Sequence, residues 1–313
     1  MQALQLMWPA TLLSVVLYFS RSVEGSTVLC STDNIFEGNW TPVVSPWMDG
    51  FHVSECPNHF LAIDTNAEGS YHQRKYVCYA YGRGGYATVS FEQPCRVLTV
   101  SESIAAIEGF GLHTIFSVGD SLATQRALAA KCLFEARATT LTVLQILSAR
   151  LYNESFVAEL FTAMAHREGT FSVVMSTGPH WHANYGDAEH ETYVQAFPSI
   201  VESILLLRND PRCVHIFWVD NSPMDPLVER DTVMGHNTFH LKDKIAREAL
   251  DPQEGVTFIN TTRATAPRKR LDPLVTIDGM HWCNPGSTAI PTFTMERILH
   301  MLAIGMRDQQ GRA

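Results

Sequence analysis

Long apolar runs, clusters of basic residues and closely spaced cysteine pairs are scarce in this sequence. The chain of 313 residues has a formal net charge of -9. Its one notable basic run is Arg268–Arg270, which we interpret as a solvated loop. This charge balance argues against nucleic acid as a partner. The absence of Cys-x-x-Cys spacing argues against a structural zinc site, and no phosphate loop or dinucleotide fingerprint is present.

The apolar run near the amino terminus is short. It extends from Leu6 to Phe19 and contains Pro9 and Ser14, whereas a membrane-spanning helix needs ~20 apolar residues. Gly25 supplies a small residue near a plausible cleavage point. We predict that residues 1–25 form a signal peptide, and a short uncleaved signal anchor is the alternative. The predicted location is the secretory pathway, in the Golgi lumen or outside the cell.

Sequons and cysteines agree with that route. Asn-x-Ser/Thr sequons predict glycans on Asn39, Asn153 and Asn260. The chain has seven cysteines, and most would pair in an oxidising lumen. Because the number is odd, at least one cysteine has no partner within the chain. The spacing alone does not determine which cysteines pair.

The composition and periodicity of the sequence change near residue 112. Residues 26–111 are rich in Gly, Asn, aromatic residues and Cys, which predicts loops and short strands held by disulfides. Residues 112–313 alternate between strands and helices, which predicts an α/β catalytic domain with a parallel sheet covered on both faces. The predicted strands are 113–118, 171–175, 214–219 and 256–259, and the predicted helices are 123–134, 193–208 and 291–302.

Polar motifs follow three of these predicted strands. They are Gly119–Ser121, Ser176–Gly178 and Asp220. In open parallel sheets, ligands bind outside the carboxyl ends of the strands. We therefore expect these motifs to lie at one edge of the sheet and to contribute to one site.

Ser121 is the candidate nucleophile. It belongs to Gly119-Asp120-Ser121-Leu122, between a predicted strand and a predicted helix. Backbone N–H groups at a helix N-terminus stabilise negative charge, as the oxyanion of acyl transfer requires. A simpler interpretation is that Asp120 or Ser121 only caps the helix.

The segment around His281 favours catalysis over that simpler interpretation. A serine hydroxyl needs a base, and the base needs an orienting carboxylate. Asp278 and His281 lie three residues apart in one predicted loop and would supply both groups. The alternative is an Asp-Gly turn with an incidental histidine. Together the two motifs predict that Ser121 is the nucleophile, His281 the general base and Asp278 its orienting group.

These motifs occur in an order that resembles the plant trichome birefringence-like proteins. That family belongs to the PC-esterase group of the SGNH (GDSL-type) hydrolase superfamily. The Asp-x-x-His motif continues here as Trp282-Cys283-x-Pro-Gly, as in the family. Further similar segments are Cys30–Trp40 with Phe36-Glu37-Gly38-Asn39-Trp40, Cys95 before a predicted helix, Ser176–Trp181, and Phe217–Pro223. The resemblance covers nearly the whole chain after residue 25.

The resemblance implies a three-layer α/β/α fold and transfer of O-acetyl groups onto cell-wall polysaccharides in the Golgi. It also implies the disulfides Cys30–Cys95, Cys56–Cys132 and Cys78–Cys283, with Cys213 free. The sequence departs from the family at three places. Ala123-Thr124-Gln125 replaces Ser-Arg-Asn, Ser176 replaces Asn, and Gly279 replaces Cys.

The remaining site residues are predicted as follows. The N–H of Ser121 is the first oxyanion donor, with Gln125 and the N–H of Gly178 as further candidates, and Gly119 and Asp120 support the turn. His180, Trp181 and Trp282 are candidates for an acceptor cleft. His180 and His182 lack the further ligands of a metal site, and His236 with His240 is best interpreted as a solvated pair.

The predicted activity is O-acetyl transfer onto a polysaccharide or oligosaccharide, with acetyl-CoA or another acetyl donor as substrate and no bound cofactor or metal. A membrane is expected as a partner only if the leader stays uncleaved. The first alternative is a polysaccharide acetyl esterase with the same triad, because water and a sugar hydroxyl compete for one acyl-enzyme. The second alternative is a glycan-binding protein without activity.

Overall fold

The computed structural model describes residues 28–42, 89–137, 139–147, 154–177, 187–221, 239–271, 281–282 and 290–310. The strands within these residues are β1 (Asn39–Pro42), β2 (Val89–Glu92), β3 (Leu112–Gly119), β4 (Thr142–Leu147), β5 (Thr170–Ser176), β6 (Cys213–Val219) and β7 (Val256–Ile259). The helices are α1 (Val100–Gly109), α2 (Ser121–Glu135), α3 (Glu154–Ala165), α4 (Asp187–Arg208), α5 (Phe239–Leu250), α6 (Thr262–Leu271) and α7 (Ile290–Gln310).

The predicted α/β class is confirmed by a parallel sheet between two layers of helices. Five strands pair in the order β4-β3-β5-β6-β7. Successive side chains of a strand point to opposite faces, so neighbours in β3 enter different cores. Ile115 packs with α1, α2 and α7, whereas Phe116 and Val118 pack with α3 and α4. Because both faces are covered, the strands are nearly continuous runs of apolar residues.

The order of the strands determines where a ligand can bind. The chain leaves β3 for β4 on one side and then crosses to β5 on the other side of β3. Such a reversal opens a crevice at the carboxyl ends of the two strands that flank it. Gly119 ends β3 and pairs in register with Ser176, which ends β5. The motifs that were predicted to share one edge therefore follow neighbouring strands.

Residues 28–42 and 89–98, here called the N-terminal clasp, pack against α7 as part of the same core. Strands β1 and β2 of the clasp pair antiparallel, and the predicted disulfide Cys30–Cys95 joins its two halves. His300 of α7 is buried and binds both halves. Its Nδ1 accepts from the Leu98 N–H at 3.0 Å, and its Nε2 donates to the Cys30 carbonyl at 2.9 Å.

Aromatic rings and a buried cation complete the attachment of the clasp. The ring centres of Trp40 and Phe293 lie 5.0 Å apart, and Trp40 Nε1 donates to the Ala264 carbonyl of α6 at 2.7 Å. The guanidinium of Arg297 lies 3.4 Å from the centre of the Phe293 ring and donates to Gln93 at 2.8 Å. The predicted domain boundary at residue 111 stays a prediction. Helix α1, which precedes it, packs in the same core as α2 and α7.

The other cysteines and sequons are only partly described. Cys132 is also disulfide-bonded, and its partner lies outside the described residues, as do Cys56, Cys78 and Cys283. Cys213 is buried and free, and burial raises the pKa of its thiol to about 12. Asn39 is exposed, Asn260 is half-buried after β7, and Asn153 lies outside the described residues.

The predicted leader at 1–25 lies outside the described residues. Among the helices that the structure does describe, none combines the length and the apolar character required to cross a membrane.

Candidate active site

The turn between β3 and α2 is shaped by Gly119. Its φ is +139°, and a Cβ at this position would lie 2.2 Å from the carbonyl oxygen of Ser176. Only glycine fits such a conformation and such a close approach. Asp120 follows as the N-cap of α2, and its Oδ1 accepts from the Leu122 N–H at 2.9 Å. The turn thereby presents Ser121 as the first residue of the helix.

Ser121 and His281 lie in hydrogen-bond contact. The Oγ of Ser121 is 2.6 Å from the Nε2 of His281, although the two residues are 160 positions apart in the chain. Ser121 is partly exposed, whereas His281 is buried. The fold thus brings the predicted nucleophile and the predicted base together in the geometry that proton transfer requires.

The third predicted member of the triad, Asp278, lies outside the described residues, and its role stays a prediction. The same is true of Gly178, His180, Trp181, His182 and His236. No group of three or more His, Cys, Asp or Glu side chains that could hold a metal ion occurs within the described parts of the chain.

Gln125 supports the segment that carries His281. Its Nε2 donates to the Trp282 carbonyl at 2.6 Å, and its Oε1 accepts from the Trp282 N–H at 3.2 Å. Gln125 was predicted as an oxyanion donor. Its amide instead holds the main chain of Trp282 through two hydrogen bonds, and donation to an oxyanion stays a prediction. Gln125 lies one turn beyond Ser121 in α2. One helix consequently carries the nucleophile and also fixes the residue next to the base.

Trp282 does not line an open cleft. It is 2% exposed and belongs to the core with Ile290 and Phe293 of α7. The expectation that it would contact an acceptor sugar is therefore wrong for this position. Burial of its indole instead anchors the chain at His281, since a large buried aromatic side chain contributes strongly to packing.

The first turn of α2 offers backbone N–H groups at the position predicted for the oxyanion. The first four N–H groups of a helix have no intrahelical acceptor, and the helix dipole adds positive potential at this end. Asp120 satisfies the Leu122 N–H, and the Asp120 carbonyl accepts from Thr124 at 3.0 Å. The N–H of Ser121 itself belongs to this turn, directly beside the attacking hydroxyl.

A group of polar side chains is buried behind the nucleophile turn. Its members are at most 6% exposed, and we call it the buried charge cluster: Asp120, Arg126, Ser176, Asp220 and Asn221. Arg126 donates to the hydroxyl of Ser176. Burial lowers the pKa of Arg126 to about 10, and the charges of Asp120 and Asp220 oppose that change. Arg126 therefore stays a cation at neutral pH.

Asp220 anchors the cluster to α6. It accepts from the Thr261 N–H at 2.9 Å and from the N–H and hydroxyl of Thr262 at 3.1 and 2.9 Å. Burial raises the pKa of Asp220, and these hydrogen bonds counteract the effect. Asn221 donates from Nδ2 to Asp243 at 2.7 Å and to the Thr177 carbonyl at 3.4 Å. Burial and the charge of Asp220 raise the pKa of Asp243.

Sequence reasoning placed Asp120, Ser176 and Asp220 of this cluster near the site. It missed Arg126, and it missed Asp243, which binds Asn221. The signal for Arg126 was its place in α2, because the residues three and four positions away on the same helix face, Leu122, Ala123, Ala129 and Ala130, are all apolar and buried. A charged residue on a buried face must have a specific environment.

No protein-family model matches the chain, and no curated protein sequence matches it significantly. Among solved structures, one similar chain is LAE5, an alpha/beta hydrolase enzyme from the metagenome of Lake Arreo, Spain. The match covers 62% of this chain and 94% of that one, with 14% sequence identity and a TM-score of 0.40. A likeness of this extent carries no weight for substrate or mechanism.

Proposed function

We propose that this protein is a serine-nucleophile acyltransferase that moves an acetyl group onto a hydroxyl of a polysaccharide. The observation that carries the proposal is the contact of 2.6 Å between Ser121 Oγ and His281 Nε2 at the carboxyl edge of the sheet. A buried base in contact with a partly exposed serine, at a helix N-terminus, suits covalent acyl transfer. The resemblance to the trichome birefringence-like proteins supports acetyl as the acyl group and a glycan as the acceptor.

The first half of the reaction acylates Ser121. The Oγ attacks the carbonyl carbon of the acetyl donor while His281 Nε2 takes the hydroxyl proton. The carbonyl oxygen becomes an oxyanion, which the first turn of α2 stabilises. When the tetrahedral intermediate collapses, the bond to the leaving group breaks and His281 returns the proton to that group. The product is an acetyl ester on Ser121.

The second half transfers the acetyl group to the acceptor. A sugar hydroxyl gives its proton to His281 and attacks the ester carbonyl. The second tetrahedral intermediate then releases Ser121, which regains its proton from His281. Water can replace the sugar in this step, and the product is then acetate. The protein must therefore position the acceptor well enough for the sugar to react before water.

Mass spectrometry of reaction products tests the proposal. The purified protein is incubated with an acetyl donor and xylan-type oligosaccharides, and separately with oligosaccharides that are already acetylated. We expect a mass gain of one acetyl group per transfer in the first mixture and none with the Ser121→Ala variant. Loss of acetyl groups in the second mixture, without gain in the first, would indicate an esterase. Binding without either change would leave a glycan-binding protein and contradict the proposal.

A further inference from the structure

The end of β5 lies next to the nucleophile turn and is held there by side chains from two other elements. Arg126 of α2 binds the Ser176 hydroxyl. Asn221, just past β6, donates to the Thr177 carbonyl at 3.4 Å and is itself bound by Asp243 of α5 at 2.7 Å. These contacts connect the ends of β5 and β6 to the helix that begins with Ser121.

The contact of β5 with the turn is unusually close. Gly119 pairs with Ser176 in the sheet, and even a methyl group on Gly119 would meet the Ser176 carbonyl oxygen at 2.2 Å. A shift of Ser176 is therefore transmitted directly to the residue two positions before the nucleophile. Sub-ångström errors in such a turn matter, because reacting groups need a closely defined separation and alignment.

The buried position of Arg126 is costly, and a buried charged pair is by itself weak evidence for a role in stability. Its guanidinium is withdrawn from water, which costs several kcal/mol in proteins unless it is well paired. Its Nε has no acceptor among the described residues. An apolar side chain of similar size would often be as stable or more stable at a buried site. A charge that is kept under such conditions, beside a nucleophile, is expected to serve the chemistry.

We propose that Arg126 is a positioning residue of the active site. Through its bond to Ser176 and its attraction to Asp120 and Asp220, it fixes the end of β5 against the Gly119–Ser121 turn. It touches no substrate and acts through Ser176. This inference rests on the proposed function, because it assigns Arg126 to the acylation of Ser121.

Asp120 and Asp220 explain why the cation stays in place. Asp120 caps the helix that carries Ser121, and Asp220 caps the start of α6. The negative charges of both carboxylates stabilise the cationic form of Arg126. A planar guanidinium can serve several acceptors in different directions, whereas a lysine ammonium acts as a single compact charge. Arg126→Lys therefore keeps the charge and loses the geometry.

The test measures how fast a fluorophosphonate labels Ser121, over a range of probe concentrations, so that the maximal rate and the half-saturating concentration are obtained separately. We compare the parent with Ser176→Ala, Arg126→Lys and the double variant. We expect each single variant to lower the maximal rate by about tenfold, the typical effect of losing one charged hydrogen bond. The half-saturating concentration should stay the same. The double variant should be no slower than the slower single variant, because both changes remove one shared contact.

Two matched controls separate positioning from general stability. Ser172 lies on the same strand, is also fully buried, and its hydroxyl donates to the His215 carbonyl at 2.7 Å, toward the other end of β5. Arg297 is as buried as Arg126, and burial lowers its pKa to about 10 as well, but it lies in the attachment of the N-terminal clasp. Ser172→Ala and Arg297→Lys should lower thermal stability and leave the labelling rate of the folded protein unchanged.

The outcomes distinguish this inference from the proposed function. If the parent is labelled at Ser121 but Ser176→Ala reacts within twofold of it, Arg126 has no positioning role through Ser176 and the inference is overturned. Fully additive losses in the double variant would overturn it too. If the parent itself is not labelled at Ser121, the proposed function fails, and this inference fails with it. Ser176→Ala removes a single hydroxyl, so the result stands even if Arg126→Lys does not fold.

Discussion

Two regions of this molecule bury charged and polar side chains, and they do so to different ends. In the buried charge cluster, Arg126 and Asp220 lie behind the nucleophile turn. In the attachment of the N-terminal clasp, Arg297 and His300 lie between α7 and the clasp. The clasp adds a disulfide and packed aromatic rings to its polar contacts, whereas the cluster is connected by hydrogen bonds and charge alone. The same residue types therefore position reactive groups in one region and hold the fold together in the other.

The comparison predicts that changes at the nucleophile and in the cluster behind it lower the activity of the folded protein. Changes in the clasp should lower stability and leave the activity of the folded protein unchanged. The largest expected effect is that of Ser121→Ala. Loss of one partly exposed hydroxyl should leave the unfolding temperature unchanged and reduce turnover by about 10⁴-fold or more. Steady-state assays of acetyl transfer, with circular dichroism as the control for folding, check this expectation.

His281→Ala should be about as damaging as Ser121→Ala, and the double variant should be no worse than either. Residues that act as a unit do not have additive effects. Asp278→Asn should reduce turnover by a similar factor or by less. If a folded Ser121→Ala protein kept near-normal turnover, Gly119-Asp120-Ser121 would be reduced to a helix cap.

The second largest effect is expected in the clasp. Replacing Cys30 and Cys95 by serine opens a cross-link between residues 65 positions apart. Loop-closure entropy then predicts a loss of about 4 kcal/mol in the free energy of unfolding. Urea denaturation of the parent and the variant measures it. The rate of Ser121 labelling should stay the same at temperatures where the variant is folded, and a slower rate would show that the two regions are coupled.

An intermediate effect is expected for Gln125→Leu, because Gln125 connects the helix of the nucleophile to the main chain beside His281. Leucine keeps the volume but loses both hydrogen bonds to the Trp282 main chain. Leaving those buried main-chain groups unsatisfied costs about 1–3 kcal/mol each. We expect a fall in kcat of about tenfold to a hundredfold and a lower unfolding temperature. Unchanged kcat would mean that Trp282 packing alone holds His281.

The smallest effect concerns pH and His300. Burial lowers the pKa of His300 in the folded protein, whereas an unfolded histidine has a pKa of about 6.5. Below that pH the unfolded chain binds a proton that the folded chain does not, so stability is lost as the pH falls from about 6.5 toward the folded pKa. His300→Gln keeps a donor and an acceptor but does not titrate. As the pH falls, the free energy of unfolding of the parent should therefore decrease more steeply than that of His300→Gln, by up to about 1.4 kcal/mol per pH unit.

Chemical denaturation at a series of pH values between neutral and mildly acidic measures this difference. His215→Asn provides the comparison outside both regions, because burial lowers the pKa of His215 to about 4. His215→Asn should also make the free energy of unfolding depend less steeply on pH than in the parent. Equal slopes for the parent and His300→Gln would show that His300 does not contribute to the pH dependence.

The sequence predicted the features that depend on local signals. The apolar runs of β3, β5 and β6 were found because strands covered on both faces have few polar residues, and the edge strand β7 was found from its β-branched and aromatic residues Val256, Phe258 and Ile259. Ser121 was identified by a turn motif, and His281 by a carboxylate nearby in the sequence. The edge strand β4 was not identified, since only Val143 and Ile146 are buried within Thr142–Leu147 and the pattern is weak.

Features that depend on distant partners could not be predicted in the same way. Gln125 was interpreted as an oxyanion donor because its position in the helix fits, and only the fold shows that its amide binds Trp282. Trp282 resembled a sugar-binding aromatic because it directly follows His281. Its burial depends on α7, which packs over it. The tautomer of His300 is likewise fixed by two main-chain groups more than 200 positions away.

The position of α7 has a consequence for synthesis on the ribosome. Chains emerge and begin to fold from the amino terminus, yet the helix that covers one face of the sheet and receives the clasp comes after all five parallel strands. Until Ile290–Gln310 has emerged, Trp40 and Phe91 lack Phe293 and the main chain at Cys30 lacks His300. The nascent protein therefore presents an unfinished apolar surface for most of its synthesis, which is the kind of surface that chaperones bind.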